Sequence, residues 1–142
     1  MDRDGNFVIG SYNNQHRANG QDIGGLYRLE AGTTQLSEIL DYTFRCSNCI
    51  CFSPDGRTLF FCDTPTRRIY TFKYDRTGQL SDRRLLWEMP SALEGGPDGA
   101  QCDAQGYLWA ALSGAGQART IRTINPLARE LSRALSLEYP KP

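Results

Sequence analysis

The clearest indication of the fold lies in residues 47–63, which read SNCICFSPDGRTLFFCD. The first part of this stretch alternates Ile50 and Phe52 with two cysteines, and an apolar pattern of period two favours a β-strand. Pro54-Asp55-Gly56 has the residue types of a tight turn. Residues 58–62 are again rich in residues that strands prefer. The stretch therefore predicts a β-hairpin.

This hairpin recurs along the chain. Gly56 aligns with Gly106, 50 residues downstream, and with Gly5, 51 residues upstream, and a strand-like segment follows each glycine. Three copies at nearly constant spacing indicate an internal repeat, and a unit of this length suits a four-stranded blade of a β-propeller. We predict an all-β fold of about three blades of four-stranded antiparallel sheet. The repeats cover approximately residues 1–45, 46–95 and 96–140 of a single domain, 1–142.

Turn residues divide each copy into short strands. The predicted strands are 7–11, 25–29, 35–40, 49–53, 58–63, 68–74, 83–88, 100–102, 107–112, 119–124 and 131–137. The last of these conflicts with another pattern over 126–137. Asn125-Pro126 resembles a helix start and leucines recur every four residues, although the alternation also fits a strand. The register of the repeat favours a strand.

The number of copies has a consequence for the whole fold. The first copy lacks its innermost strand, because Met1 falls just before its turn. Propellers close their ring with at least about four blades. Three blades would leave unpaired strand edges and an apolar face uncovered. We therefore expect the sequence to be part of a larger propeller.

The composition restricts the possible partners. Sixteen basic residues balance sixteen acidic ones, and 39% of the residues are hydrophobic. This balance argues against the basic surface of a nucleic-acid binder or a polybasic membrane binder. No apolar run is long enough to span a bilayer, and the first residues lack the pattern of a secretory signal. We predict a cytoplasmic protein without nucleic-acid or membrane partners.

The five cysteines allow two interpretations. Cys46-x-x-Cys49-x-Cys51 could suggest zinc, but no second pair of ligands follows at the usual spacing and His16 is the only histidine. A free cysteine inside a strand behaves as a small buried apolar residue. We favour reduced, structural cysteines over a zinc site.

The repeat also pairs two polar residues. Asn48 aligns with Asp98 at the offset of 50 residues, and each precedes the innermost strand of its copy by the same amount. Innermost strands line the central channel of a propeller, so the two side chains could converge on a hard divalent cation. A turn at Asp98 and a local backbone cap at Asn48 explain the residues equally well. The repeat alone leaves both interpretations open.

A family resemblance appears at these residues. The motif Ser-Asn-x-Ile-x-Phe-Ser-Pro-Asp-Gly-Arg-Thr-Leu from Ser47, with RIYTFKYD at 68–75, resembles the regucalcin/gluconolactonase family of six-bladed propellers. Residues 97–99 and 103–111 resemble the next blade of that family, and residues 24–29 resemble the preceding one. The likeness runs from Asp2 to about Leu137. It covers the central half of a typical member.

The resemblance implies a site and a reaction. Members of the family hold one divalent cation with a Glu, two Asn and an Asp, and Asn48 and Asp98 match the second Asn and the Asp. The identity of the ion stays open among Ca²⁺, Zn²⁺, Mg²⁺ and Mn²⁺. The cation would polarise the carbonyl of a sugar lactone such as glucono- or arabinono-lactone, and Asp98 would act as general base for a water. Gln15 falls near a substrate-binding acidic position.

The sequence also departs from the family pattern. The Glu, the first Asn and a substrate-binding Arg fall before Met1, Gln15 carries no charge, and Cys49 replaces a glycine. With two of four ligands, we expect little or no activity from this chain alone. The leading interpretation is a segment of a metal-dependent sugar-acid lactonase. The alternatives are a non-catalytic propeller that binds a partner or calcium, and a related hydrolase that acts on other esters.

Overall fold

Three antiparallel sheets follow one another along the chain in the computed structural model, which describes residues 1–15, 19–114, 117–122 and 135–136. The first contains β1 (Phe7–Gly10), β2 (Leu26–Leu29) and β3 (Leu36–Glu38). The second contains β4 (Ser47–Phe52), β5 (Thr58–Asp63), β6 (Arg68–Tyr74) and β7 (Leu80–Glu88). The third contains β8 (Gly96–Cys102), β9 (Tyr107–Ser113), β10 (Gln117–Arg122) and β11 (Leu135–Ser136). The predicted all-β architecture of repeated antiparallel sheets is confirmed.

The end of the chain tests the conflict between strand and helix only in part. Leu135 and Ser136 pair antiparallel with β10, as a fourth strand would. Residues 123–134 and 137–142 lie outside the described part of the chain, so the rest of the predicted strand at 131–137 does too. The same holds for His16. Among the residues that the structure describes, we find no helical segment that could span a bilayer.

The number of residues between equivalent positions of the repeat changes within the hairpin formed by β4 and β5. Phe52 pairs with Leu59 in the second sheet, whereas Cys102, 50 residues after Phe52, pairs with Leu108. Equivalent residues are therefore 50 positions apart in β4 and β8 but 49 positions apart in β5 and β9. The predicted uniform offset of 50 was wrong for β5 and β9. The cause is turn length. The Ser53 N–H donates to the Thr58 carbonyl, but the Asp103 N–H donates to the Tyr107 carbonyl, one residue closer.

The second sheet is buried on both faces. Along β5, Leu59 and Phe61 belong to an apolar cluster with residues of the first sheet, including Leu26. The alternate residues Phe60 and Cys62 pack with Leu108 and Ala110 of the third sheet. Side chains alternate between the faces of a strand, and a strand covered on both faces reads as a continuous apolar run. This arrangement explains the sequence LFFC within β5.

The outer faces of the first and third sheets expose large apolar side chains. Val8 is buried in the cluster with β5, while its neighbours Phe7 and Ile9 are 47% and 45% exposed. Trp109 is 43% exposed and lies between the buried residues Leu108 and Ala110. Because adjacent residues of a strand point to opposite faces, these side chains lie on faces that the other described sheets do not cover.

A buried carboxylate ties the first two sheets together. Asp2 accepts hydrogen bonds from the hydroxyl of Tyr74 at 2.7 Å and from the side-chain amide of Asn6 at 2.8 Å. The backbone N–H groups of Asn6 and Asp4 donate to the same carboxylate, and Arg28 lies 3.5 Å from it. Burial by itself raises the pKa of Asp2, but the hydrogen bonds from Asn6 and Tyr74 outweigh it and lower the pKa to about 2.

Candidate functional site

A cavity of about 750 Å³ opens where the second and third sheets meet. Most of its lining comes from the start of β4, the 3₁₀ turn Thr64–Thr66 that follows β5, the start of β8 and the end of β9. The polar side chains in this lining are Tyr12, Cys46, Ser47, Asn48, Thr64, Arg67, Asp98 and Ser113. Its volume falls in the range of about 300–1,000 Å³ that is usual for small-molecule sites. We call this space the inter-sheet cavity.

Asn48 and Asp98 reach this cavity through the same irregularity of the sheet. The pairing of β4 with β5 shifts register after Asn48, and the pairing of β8 with β9 shifts between Pro97 and Ala100. A bulge in an innermost strand re-aims the side chains beside it, which is why bulges occur near active sites. Both residues are half-buried and line the cavity. The structure thus brings these two residues, 50 positions apart, to one space.

Gln15 occupies a different environment. It is exposed in a turn of the loop that follows β1, where its backbone N–H donates to the Asn13 side chain. It is not part of the lining of the inter-sheet cavity. Its possible contact with a substrate stays a prediction.

Three contacts join the second sheet to the backbone on either side of the Pro97–Asp98 peptide. The Thr64 hydroxyl donates to the Pro97 carbonyl at 2.7 Å and accepts a hydrogen bond from Asn48 Nδ2 at 2.8 Å. The Cys49 thiol donates to the Asp98 carbonyl at 3.0 Å. The Cys62 thiol makes a longer contact of 3.7 Å with the Pro97 carbonyl. The relative position of Asn48 and Asp98 is therefore set by direct contacts between the sheets.

Burial raises the pKa of two acidic groups beside the cavity. Burial raises the pKa of the Cys46 thiol, so the thiol is neutral at pH 7. Burial also raises the pKa of Asp63, although this carboxylate accepts the backbone N–H groups of Arg45 and Cys46 at 3.2 and 2.9 Å. These bonds hold the chain just before β4 against the end of β5. Asp63 therefore stabilises the site without lining the cavity itself, because it holds the backbone at Arg45 and Cys46.

Arg67 fixes the loop that leads into β8. Its Nη2 donates to the carbonyls of Pro90 and Leu93, and its own backbone carbonyl accepts the Met89 N–H. Its Nε is buried and has no hydrogen-bond partner among the described residues. Arg67 brings the one guanidinium group to the described lining of the cavity, and its hydrogen bonds go to backbone carbonyls. We assign it a supporting role for this loop.

The oxygen atoms of Asn48 and Asp98 are of the kinds that bind a hard divalent cation. Such ions prefer carboxylate and carbonyl oxygens, which Asp98 and Asn48 provide. Within the described ranges, no cluster of three or more His, Cys, Asp or Glu residues could hold a metal ion. All five cysteines are free, and Cys49, Cys51 and Cys62 are buried in the apolar cluster between the sheets. The described residues thus offer two oxygen donors for a cation.

Cys49 adopts a backbone conformation that glycine adopts at lowest cost. Its φ is 56°, in the left-handed region, which costs a non-glycine residue about 1 kcal/mol or more. A hydrogen bond with Cys62 and burial raise the pKa of its thiol, so the thiol keeps its proton and can donate to Asp98. The cysteine at this position therefore combines backbone strain with a contact between the second and third sheets.

This strain predicts that glycine is a more stable substitute for Cys49 than alanine, the reverse of the usual order in a strand. We expect Cys49→Gly to be more stable than Cys49→Ala by about 1 kcal/mol. Both variants lose the thiol, but glycine adopts this positive φ without strain and alanine does not. Urea unfolding measures the difference. The matched control is Cys51, two residues along the same strand and also buried, where alanine should be the more stable substitute. Equal or higher stability of Cys49→Ala would contradict the assignment of strain.

Sequence reasoning missed several residues of this site. Thr64, Cys46 and Arg67 line the cavity, but none was predicted as a functional residue. Thr64 begins the turn between β5 and β6 and Arg67 follows it, and their neighbours in sequence are typical of any turn. Only the alignment of Asn48 with Asp98 carried a signal, because both occupy the same position of the repeat.

Comparisons with known proteins agree with this architecture. A family model described as "SMP-30/Gluconolactonase/LRE-like region" matches residues 1–136. An uncharacterized protein of Sulfolobus acidocaldarius is 33% identical over 141 residues, which are 99% of this chain and 48% of that protein. L-arabinolactonase of Azospirillum brasilense is 36% identical over 87 residues, 61% of this chain and 28% of the relative.

A solved structure has a fold similar to that of this chain. The calcium-binding protein regucalcin of Agrobacterium tumefaciens superposes with a TM-score of 0.76 at 29% identity. The match covers 87% of this chain and 40% of the regucalcin chain. The chain therefore spans about half, or less, of the length of the relatives that it matches.

Proposed function

This chain belongs to the SMP-30/gluconolactonase/LRE-like family, and on that premise we propose that it contributes to the active site of a divalent-cation-dependent sugar-lactone hydrolase. The family includes sugar lactonases such as L-arabinolactonase of Azospirillum brasilense. One observation carries the proposal. Asn48 and Asp98 occupy equivalent bulges in successive sheets, and both line the inter-sheet cavity.

Each of the two residues has a role in this proposal. Asn48 Oδ1 and the Asp98 carboxylate would hold the cation, which would supply Lewis acidity toward the lactone carbonyl. Asp98 also accepts a proton from the attacking water. The water oxygen bonds to the carbonyl carbon, the ring C–O bond breaks, and the former ring oxygen takes a proton. The product is the free hydroxy acid.

The cavity suits a polar, hydroxylated substrate. Hydroxyl, thiol and amide groups from Thr64, Cys46 and Asn48 are distributed around it, and its volume accommodates a monosaccharide lactone. We propose that the protein is cytoplasmic, where a reducing environment would keep its cysteines as free thiols.

Direct binding of cations tests this proposal more sharply than turnover. Cation affinity depends on the number and charge of the oxygen donors, so two donors should give weak binding and little lactone opening by this chain alone. We expect Ca²⁺ or Mn²⁺ to raise the unfolding temperature of the wild-type chain at millimolar concentrations. The same ions should leave Asn48→Ala unaffected. Absence of binding by the wild type at tens of millimolar would refute the proposed cation site.

A lactone assay separates the second candidate function. The likeness to regucalcin, a protein described as calcium-binding, favours a non-catalytic cation-binding propeller as the alternative. A pH-drop assay on a panel of aldonolactones, with and without chelator, distinguishes the two when it uses this chain extended to the full length of its relatives. Lactone opening that chelator abolishes supports the hydrolase. Cation binding without any lactone opening supports the alternative, and opening that persists in excess chelator contradicts metal dependence.

A further inference from the structure

We infer that Thr64 is the positioning residue of this site: its hydroxyl fixes the orientation of the Asn48 amide and ties that amide to the backbone beside Asp98. The inference rests on the proposed function, because it concerns how the two proposed ligands are held. It uses two short hydrogen bonds of the Thr64 hydroxyl, one from Asn48 of the second sheet and one to the Pro97 carbonyl of the third sheet.

The number of protons determines which atom of Asn48 faces Thr64. The Thr64 hydroxyl carries one proton and lies 2.7 Å from the Pro97 carbonyl, which can only accept. The hydroxyl therefore donates to Pro97 and can only accept from Asn48, 2.8 Å away. A flipped amide would place Oδ1 against the hydroxyl. That arrangement would draw the proton away from Pro97 and leave its carbonyl with only the 3.7 Å contact from the Cys62 thiol.

The orientation leaves the oxygen of Asn48 available. One N–H of the amide goes to Thr64, and the other is directed to Cys46 Sγ, a weak acceptor, at 3.7 Å. Oδ1 receives no hydrogen bond from the residues that the structure describes. Because a cation binds the oxygen of an amide and is repelled by its NH₂ group, this orientation is the one that can bind.

The same hydroxyl also sets the distance between the sheets. Gly96 lies directly against Thr64, since a Cβ on Gly96 would lie 2.7 Å from Thr64 Cγ2 and 2.9 Å from the Thr64 carbonyl oxygen. The hydrogen bond to Pro97 follows one residue later, and Asp98 comes next. Glycine at 96 permits the close approach, and Thr64 then fixes the start of β8. Asn48 and Asp98 are thus positioned by one side chain.

Substitutions at Thr64 test this role by cation binding. Thr64→Val keeps the shape but removes the hydroxyl, and we expect Mn²⁺ affinity, measured by electron paramagnetic resonance, to fall about tenfold or more. Thr64→Ser keeps the hydroxyl and should bind within about threefold of the wild type. Thr66→Val is the matched control, because Thr66 lies in the same turn and donates instead to the Asp63 carbonyl. Wild-type affinity in Thr64→Val, or equal losses in the valine and serine variants, would overturn the inference.

A second measurement does not depend on cation binding. In the ion-free wild type, the side-chain N–H protons of Asn48 should exchange slowly with water in ¹⁵N NMR spectra, and Thr64→Val should accelerate this exchange while Thr66→Val does not. Unchanged exchange in a folded Thr64→Val variant would refute the role of Thr64. If the wild type binds no Mn²⁺ but the exchange changes as expected, the proposed function fails and the orientation of Asn48 by Thr64 stands.

Discussion

Replacing Asp98 by alanine is expected to lower the affinity for Ca²⁺ or Mn²⁺ at least about 100-fold, close to complete loss. Asp98 is the carboxylate in the described lining of the cavity, and the neutral amide of Asn48 cannot hold a divalent cation by itself. Calorimetric titration or Mn²⁺ resonance measures the change. Any chelator-sensitive lactone opening should disappear together with binding, because the same carboxylate acts as the proposed base.

Two further variants make this result specific. Asp98→Asn keeps the size and the backbone contacts but removes the charge, so it should lose nearly as much affinity as the alanine variant. Glu94→Gln removes an exposed charge from the loop just before β8 without changing the lining, and it should bind as the wild type does. All three variants should unfold within about 1 kcal/mol of the wild type. Wild-type binding by Asp98→Ala would exclude it as a ligand.

Removal of the buried carboxylate of Asp2 is expected to cost about 3 kcal/mol of unfolding free energy. Asp2→Ala would leave the Tyr74 hydroxyl and the Asn6 amide without their acceptor and would leave the Arg28 charge, whose side chain is 14% exposed, unpaired. Urea unfolding gives the number. Asp4→Ala, two residues away with its side chain 42% exposed, is the control and should change stability by less than about 0.5 kcal/mol. Equal effects of the two substitutions would show that the network does not stabilise the fold.

The same carboxylate predicts how stability depends on pH. Its pKa falls from 3.8 to about 2 on folding, so the folded state favours the ionised form. The contribution, roughly 2 kcal/mol, is fully present above pH 3.8 and is lost as the pH falls from 3.8 through 2. Asp2→Asn should therefore be less stable than the wild type at pH 6, and the difference should shrink toward pH 2. A constant difference over this range would contradict the lowered pKa.

Local pattern was sufficient for much of the fold. The bounds of β5 and β6 follow from runs of β-branched and aromatic residues between turn residues, and both agree with the structure. The bounds of β8 were too short, because Gly96, Pro97 and Gly99 have low strand propensity and their pairing with β9 comes from the sheet. The predicted alignment of β5 with β9 was wrong by one residue for a similar reason. A turn shortened by one residue shifts the register but changes the sequence pattern very little.

Strand alternation and turn chemistry act between near neighbours, so the repetition of sheets and the equivalence of Asn48 and Asp98 could be predicted from the residues alone. The packing of the sheets against one another brings both residues to one cavity, lets Thr64 join them and requires glycine at position 96. The bonds that do this connect residues in different sheets, 33 positions apart for Thr64 and Pro97 and 49 for Cys49 and Asp98. Such contacts depend on how whole sheets pack, and a hydroxyl or thiol in a turn or strand carries no local sign of its partner.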